Sequence, residues 1–190
     1  FLDAGQHVMV EKPMAMDVAE ADAMVDAAGR SSAFLMVAHC WRFHPDVLAL
    51  RDRIAAGELG EIVKTRGYGV HAKWGPAGWF VDPDLAGGGA LADMGVHAID
   101  TARFLLGGPE PVRVCAAVGT RYSEIAVDDD AILLVSWSNG TNSVVESGWW
   151  HPHLEGLEAE TEVYGTGGYA RTFGFTEPPA PDYEHCPQSM

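Results

Sequence analysis

The sequence predicts an α/β unit at the start of the chain, followed by an α+β domain whose large, mainly antiparallel sheet is covered on one face by helices. Two observations support this. An apolar strand, an amphipathic helix and a second apolar strand follow one another before residue 40. After Leu106, apolar stretches alternate with turn residues and few helical patterns remain. We therefore assign residues 1–40 to the first unit and residues 41–190 to the second domain.

The first strand and helix have clear boundary signals. Residues 8–10 (Val-Met-Val) predict a short strand that ends before Pro13, because proline cannot donate to a sheet ladder. Asp17, followed three positions later by Glu20, predicts a capped helix start, and Gly29 is predicted to end this helix.

The next elements return the chain to a sheet and then begin the second domain. Residues 34–38 are continuously apolar, which is typical of a strand buried on both faces of a parallel sheet. Pro45 fits the first turn of a second helix that Gly57 ends, and residues 62–72 read as a long strand. The order β-α-β follows for the first unit.

A glycine-bearing loop over residues 73–89 leads to a helix predicted from Ala90 to Leu106. Asn139-Gly140 is a strong signal for a hairpin turn. Residues 165–168 (Gly-Thr-Gly-Gly) favour another hairpin turn, since no Lys-Ser or Lys-Thr pair completes a phosphate loop. The strands expected beyond the helix are residues 112–118, 131–137, 141–150 and 158–164.

Composition narrows the possible partners and location. A formal net charge of −15 would repel phosphate backbones and anionic lipids, so we expect neither nucleic acid nor membrane as a partner. The longest apolar runs, such as residues 131–135, are far below the roughly 18 to 20 residues that span a bilayer. Three widely spaced cysteines, Cys40, Cys115 and Cys186, show no disulfide or metal pattern, so we expect a reducing cytoplasm.

The strongest chemical signal lies in residues 87–100. Asp93 and His97 are four positions apart, so a helix places them on one face, and Asp100 extends that stripe. A carboxylate beside an imidazole can serve acid-base chemistry, although it can equally be a polar pair within a packing face. Gly95 favours the first reading, because glycine costs a helix interior about 1 kcal/mol relative to alanine.

Further candidates lie where the first two strands end. Lys12, within Glu11-Lys12-Pro13, follows a strand whose carboxyl end should open on the ligand crevice of a parallel sheet. Trp41 and Arg42 follow the next strand and are expected in the same crevice. Trp79 is either a core aromatic or a platform for a sugar ring. A zinc site would draw on His39, Cys40 and His44, but no ligand spacing supports it, and the roles of His151 and His153 stay open.

Together these motifs resemble the Gfo/Idh/MocA oxidoreductases. The resemblance rests on Glu11-Lys12-Pro13, on Arg42-Phe43-His44-Pro45, and on residues 87–97 with Asp100, in that order and spacing. It implies that residues 1–40 are the end of a Rossmann domain and that the second domain binds substrate and forms dimers or tetramers through its open sheet.

The resemblance also implies an activity and roles for single residues. The expected enzyme transfers hydride between NAD or NADP and a hydroxyl carbon of a sugar, inositol or related polyol. Lys12, Asp93 and His97 would be catalytic, with His97 as the general acid-base. Glu11, Lys12, Pro13 and Arg42 would contact the cofactor, and Lys12, Trp41, Trp79, Asp93 and His97 the substrate. No metal is expected.

One part of that pattern is missing from the sequence. No Gly-x-Gly-x-x-Gly motif occurs near the start, and the resemblance places this motif before Phe1. We therefore expect the chain to be truncated at its N-terminus and inactive alone. The alternative is a binding or assembly module that has lost the cofactor. A metal-dependent lyase or hydrolase using His39, His44, His97 and Asp93 is a third hypothesis.

Overall fold

The computed structural model describes residues 1–155 and 157–172 of the chain. Its helices are α1 (Val18–Arg30), α2 (Pro45–Ala55), α3 (Pro83–Ala86) and α4 (Val96–Leu105), with 3-10 turns at Leu2–Ala4, Cys40–Phe43 and Gly78–Val81 and a π-helical turn at Leu91–Gly95. Its strands are β1 (Val8–Glu11), β2 (Leu35–Ala38), β3 (Ile62–Ala72), β4 (Pro111–Gly119), β5 (Asp130–Trp137), β6 (Asn142–His151), β7 (Ala159–Gly165) and β8 (Tyr169–Arg171).

The first unit has the predicted β-α-β order, with β1 and β2 paired in parallel. The Asp17 carboxylate accepts a hydrogen bond from the backbone N–H of Glu20 at 2.9 Å, which caps α1 as the sequence predicted. The prediction that Gly29 ends this helix is wrong. Gly29 lies within α1, which runs to Arg30, and the extended backbone of Ser31 ends it. Gly29 does not take the left-handed conformation that a glycine cap needs.

The second domain is built on a six-stranded sheet in the order β4-β5-β6-β3-β7-β8. Four of its strand pairs are antiparallel, which confirms the mainly antiparallel prediction, but β3 and β6 run parallel. Asn139-Gly140 makes the predicted turn between β5 and β6, with Gly140 at a φ of 86°. Residues 165–168 join β7 to β8 as a tight turn.

Helix α4 covers one face of this sheet, and α2 packs against α4. Small residues allow the close approach, since a Cβ on Gly67 would contact Ala98 and one on Gly69 would crowd the carbonyl oxygen of Met94. Three apolar clusters fill the space between helices and sheet. Their buried members are Val47, Leu50, Leu59, Leu105, Val163 and Ala170; Ala98, Ala131, Leu133, Val135, Trp137 and Val145; and Ala90, Met94, Val127 and Trp149.

No helix among residues 1–155 and 157–172 covers the opposite face of the sheet. Arg66 lies at its centre and pairs with Glu146 at 3.3 Å and with Glu162 at 3.8 Å. Apolar and aromatic side chains flank these charges: Ile132 and Leu134 on β5, Tyr164 on β7 and Tyr169 on β8. We refer to these seven side chains as the open face.

Two further predictions concern membranes and thiols. Among the described residues, no helix is both long and apolar enough to span a bilayer. Cys40 and Cys115 are exposed and form no disulfide within the described residues, and Cys186 lies outside them.

Candidate active site

Lys12 lies immediately after β1 and points toward the second domain. Its Nζ donates to Asp93 Oδ1 at 2.6 Å and to the Asp93 carbonyl oxygen at 2.8 Å. Only 9% of the Lys12 side chain and 8% of the Asp93 side chain remain exposed. The structure thus brings these two predicted residues together in a largely dry environment, where a charge-assisted hydrogen bond is strong.

Asp93 lies in the π-helical turn that precedes α4, and Asp128 holds the start of that turn. The Asp128 carboxylate accepts from the N–H groups of Gly89 and Leu91, each at 2.8 Å, and its carbonyl oxygen accepts from Ala90 at 2.8 Å. A Cβ at position 89 would overlap that carbonyl oxygen, so only glycine fits. The sequence does not identify Asp128 as the partner of this segment.

His97 lies near the start of α4 and is buried, with 6% of its surface exposed. The Trp41 indole stacks on its imidazole with the ring centroids 4.7 Å apart. Its Nδ1 is buried and has no hydrogen-bond partner among the described residues. Burial, then the charges of Lys12 and His39, lower the pKa of His97 from 6.5 to about 3. The imidazole is therefore neutral near pH 7.

Arg42 and Asp100 form a second ion pair beside this group. The guanidinium donates through Nε to Asp100 Oδ2 at 2.7 Å and through Nη2 to Oδ1 at 2.5 Å. His39 Nε2 lies 3.7 Å from the same carboxylate, yet burial outweighs that attraction and lowers the pKa of His39. Arg42, the predicted cofactor contact, thus directs its guanidinium to Asp100, one helical turn from His97.

A polar cluster that the sequence did not reveal lies at the end of β3. Glu158 accepts from the Trp74 indole at 2.8 Å and the Ala72 N–H at 2.9 Å, and it lies 3.2 Å from His71 Nδ1. His71 stacks on Trp74 at 3.6 Å, and burial lowers the pKa of His71 against the opposing pull of Glu158. No local pattern could link Glu158 to residues more than eighty positions earlier.

The remaining candidates are more dispersed. Trp79 is 54% exposed and stacks on Phe80 at 3.9 Å, so its observed contact is a neighbour on its own loop. His151 lies 3.2 Å from Asp130, and His153 is exposed. Trp149, which the sequence marked only as a strand residue, donates from Nε1 to Asp93 Oδ2 at 3.1 Å.

The residues considered for a zinc site do not converge. His44 Nδ1 accepts from the Asp46 N–H at 3.2 Å and caps α2. Across the part of the chain that the structure describes, no group of three or more His, Cys, Asp or Glu side chains is arranged to hold a metal ion.

Comparisons with known protein families agree with this fold. Residues 47–171 match the GFO/IDH/MocA C-terminal domain. Residues 1–39 match the oxidoreductase family with an NAD-binding Rossmann fold. The second match ends at the carboxyl end of β2, next to the Lys12, Asp93 and His97 group.

Individual relatives match most of the chain. The rhizopine catabolism protein MocA of Rhizobium meliloti is 34% identical over 92% of the chain and 54% of its own length. D-glucoside 3-dehydrogenase of Escherichia coli is 35% identical over 77% of the chain and 41% of its own length. The chain thus spans about half the length of the curated relatives it matches.

A solved structure shares the fold. Levoglucosan dehydrogenase in complex with NADH and levoglucosan superposes with a TM-score of 0.82 at 31% identity, covering 90% of this chain and 48% of that one. The domain matches, the relatives and the shared fold confirm the resemblance seen in the sequence. The chain belongs to the GFO/IDH/MocA family of oxidoreductases.

Proposed function

We propose that this chain forms the catalytic and substrate-binding part of an NAD- or NADP-dependent dehydrogenase acting on a hydroxyl group of a sugar, inositol or related polyol. The observation that carries the proposal is the convergence of Lys12, Asp93 and His97. A strand-end ammonium, a carboxylate and a neutral buried imidazole provide a donor, an orienting group and a base around one point. The short contact between Lys12 and Asp93 and the burial of all three side chains support a catalytic role over that of a solvated surface group.

Each of these residues has a role in alcohol oxidation. Because Nδ1 of His97 is buried, we assign Nε2 as the nitrogen that receives the proton of the substrate hydroxyl. Lys12 donates a hydrogen bond to the same oxygen as it becomes a carbonyl. Asp93 holds the ammonium in place. A bound nicotinamide would supply the hydride acceptor for the substrate carbon.

The end of the β1–β2 pair fits one side of a nicotinamide site. Glu11, Lys12 and Pro13 follow β1, and His39 follows β2 with a buried Nδ1 that lacks a partner among the described residues. An unpaired buried polar atom at the carboxyl ends of parallel strands suits a polar cofactor group. Glu11, Lys12, Pro13, His39 and Arg42 would hold the nicotinamide end.

Charge supports a neutral substrate. The two cations at the site are already engaged, Lys12 by Asp93 and Arg42 by both oxygens of Asp100, and His97 is neutral. An anionic substrate would gain little from cations that are already paired. Trp41 covers the imidazole, and Trp79 at the loop tip can stack on a ring. Relatives named for D-glucosides, levoglucosan and D-xylose fit this class.

We assign the protein to the cytoplasm and propose that it forms a homodimer or homotetramer through the open face. The absence of a disulfide at Cys40 and Cys115 within the described residues suits a reducing compartment. The apolar side chains Ile132 and Leu134 on an uncovered sheet suit an interface between copies. The net charge of −15 argues against nucleic acid and anionic membranes as partners.

The test uses the complete protein, including any residues that precede Phe1, with NAD⁺ and NADP⁺ and a panel of neutral sugars and inositols. Formation of reduced cofactor is followed by absorbance. His97→Gln should lower kcat by about 100- to 10,000-fold through loss of the general base. His153→Gln, at an exposed histidine, is the matched control and should leave kcat unchanged.

Two results would contradict the proposal. If the complete protein binds neither cofactor, the assembly-module hypothesis takes its place. If His97→Gln and His153→Gln have equal kcat on an oxidised substrate, His97 is not the base.

A further inference from the structure

Trp149 is a fully buried aromatic residue at the end of β6, with 0% of its surface exposed. An indole has a single hydrogen-bond donor, and a buried indole N–H usually finds a partner. Here that donor reaches Asp93 Oδ2 at 3.1 Å. Trp149 therefore contacts the acidic member of the Lys12, Asp93 and His97 group directly.

This hydrogen bond completes the surroundings of the Asp93 carboxylate. Oδ1 accepts from Lys12 at 2.6 Å, and Oδ2 accepts from Trp149. With each oxygen bound to a different element, the carboxylate plane is fixed by β1 on one side and by β6 on the other. Rotation of the Asp93 side chain would break at least one of these charge-assisted bonds.

The orientation of Asp93 in turn fixes the ammonium of Lys12. An ammonium has three donors, and two of them point at Asp93, one to Oδ1 and one to the carbonyl oxygen at 2.8 Å. The direction of the third proton follows from the other two. That third donor is the one left for a substrate oxygen.

Trp149 is itself held rigidly. Its ring packs within a cluster that includes Ala90 and Met94, and Trp150 meets it edge-on at 5.8 Å. Its backbone N–H donates to the Asp129 carbonyl oxygen at 2.9 Å. The indole N–H therefore has a fixed position on the sheet, and it holds the Asp93 carboxylate of the π-helical turn at that position.

We propose that Trp149 is a positioning residue for the dehydrogenase reaction, its indole N–H holding Asp93 so that one proton of Lys12 is aimed at the substrate oxygen. This inference rests on the proposed function. It predicts that loss of one N–H group, without loss of the aromatic ring, slows the chemical step.

The test is Trp149→Phe in the complete protein. Removing a hydrogen bond to a charged group should lower kcat by about 10- to 100-fold. The Kd of the cofactor should change little, and the primary deuterium isotope effect on kcat should rise as hydride transfer becomes slower. An unchanged kcat and isotope effect in a folded variant would overturn the proposal.

Trp137→Phe is the matched control. Trp137 lies in the same sheet, is 2% exposed, and donates from Nε1 to Ser143 Oγ at 2.7 Å, away from Asp93. Both substitutions remove one buried indole hydrogen bond and should lower the Tm by similar amounts. If Trp137→Phe lowers kcat and raises the isotope effect as much as Trp149→Phe does, the role of Trp149 is structural.

A double-mutant cycle and a spectroscopic measurement complete the test. If Trp149 acts through Asp93, Trp149→Phe should have little further effect on kcat in an Asp93→Asn background, whereas additive effects would contradict the proposal. Should Trp149→Phe not fold, Asp93→Asn should shift the indole ¹⁵N–H resonance of Trp149 and leave that of Trp137 in place. An unshifted Trp149 resonance would overturn the proposal.

The outcomes also separate this inference from the proposed function. An active wild-type dehydrogenase with an unaffected Trp149→Phe variant removes only the positioning role. An inactive wild-type protein removes the proposed function itself.

Discussion

His97 illustrates how the fold changes the chemistry of a single residue. An exposed histidine is partly protonated near neutral pH, whereas burial, Lys12 and His39 lower the pKa of His97 to about 3. The same burial that keeps the His97 imidazole neutral at neutral pH makes its protonation in the folded state unfavourable in acid. An imidazole that must stay neutral when folded links stability to pH.

The first prediction concerns stability between pH 3 and pH 6.5. In that range His97 is protonated in the unfolded chain but not in the folded chain. The free energy of unfolding therefore decreases as the pH falls below 6.5. By linkage the loss from this residue is about 2 kcal/mol at pH 5. His97→Gln should therefore lose about 2 kcal/mol less than wild type between pH 7.5 and pH 5 in denaturant titrations. Parallel pH dependence in the two proteins would contradict this.

At the residue scale, the site residues that the sequence predicted are those that lie in a local pattern. Lys12 follows from a strand end, and Asp93 and His97 follow from helical spacing. Trp149 could not be found in this way. The alternation in its strand predicts only that the side chain is buried, and its acceptor Asp93 lies 56 positions away in sequence. The pairing of Arg42 with Asp100 could not be predicted for the same reason, because 58 positions separate the two residues.

At the element scale, the turn Leu91–Gly95 shows how a site is held at a helix start. The sequence predicted one helix from Ala90 to Leu106, but the first turn is π-helical and α4 runs from Val96 to Leu105. π-Helical turns often occur at functional sites, and this one carries Asp93. The sequence pattern cannot locate a single π-helical turn, because one turn is too short to show a periodicity of its own.

The second prediction compares two glycines. Gly89→Ala should destabilise the chain by about 3 kcal/mol or more, because its Cβ would overlap the Asp128 carbonyl oxygen, which belongs to the backbone and cannot rotate away. Gly29→Ala is the control. Nothing lies within 4 Å of a Cβ there, and the residue is inside α1, so the change should stabilise by about 0.5 to 1 kcal/mol.

Urea denaturation of both glycine variants checks the second prediction. Equal effects at the two positions would show that Asp128 does not constrain the turn. In the complete protein, Gly89→Ala should also lower kcat, because the displaced turn carries Asp93.

At the scale of the whole molecule, the sheet has two different faces. The sequence predicted helices on one face from the strand alternation after Leu106. It did not predict that β3 and β6 pair in parallel, because that pairing joins strands about eighty positions apart and leaves no local signal. The open face was expected only through the family resemblance.

The third prediction tests the open face as an interface. Leu134→Asp places a charge on a 40% exposed apolar residue and should convert the complete protein from a dimer or tetramer to a monomer in light scattering. Val118→Asp is the control. Val118 is 46% exposed and is paired across the strands with the buried Ala131, so it lies on the other face of the sheet from Leu134. A wild-type monomer, or equal dissociation by both variants, would contradict the assignment.

The burial pattern of α1 has a consequence for local stability. All 13 of its residues are exposed or half-buried, and β1 and β2 pair only with each other among the described strands. A lone helix of this length is marginal in water, so little tertiary contact protects its backbone amides. In this chain, residues 18–30 should exchange their amide protons with solvent far faster than β3, β5 and β6, as mass spectrometry in D₂O can measure. The strand β1, which Lys12 follows, belongs to the same weakly packed unit, so the site gains its rigidity from the six-stranded sheet.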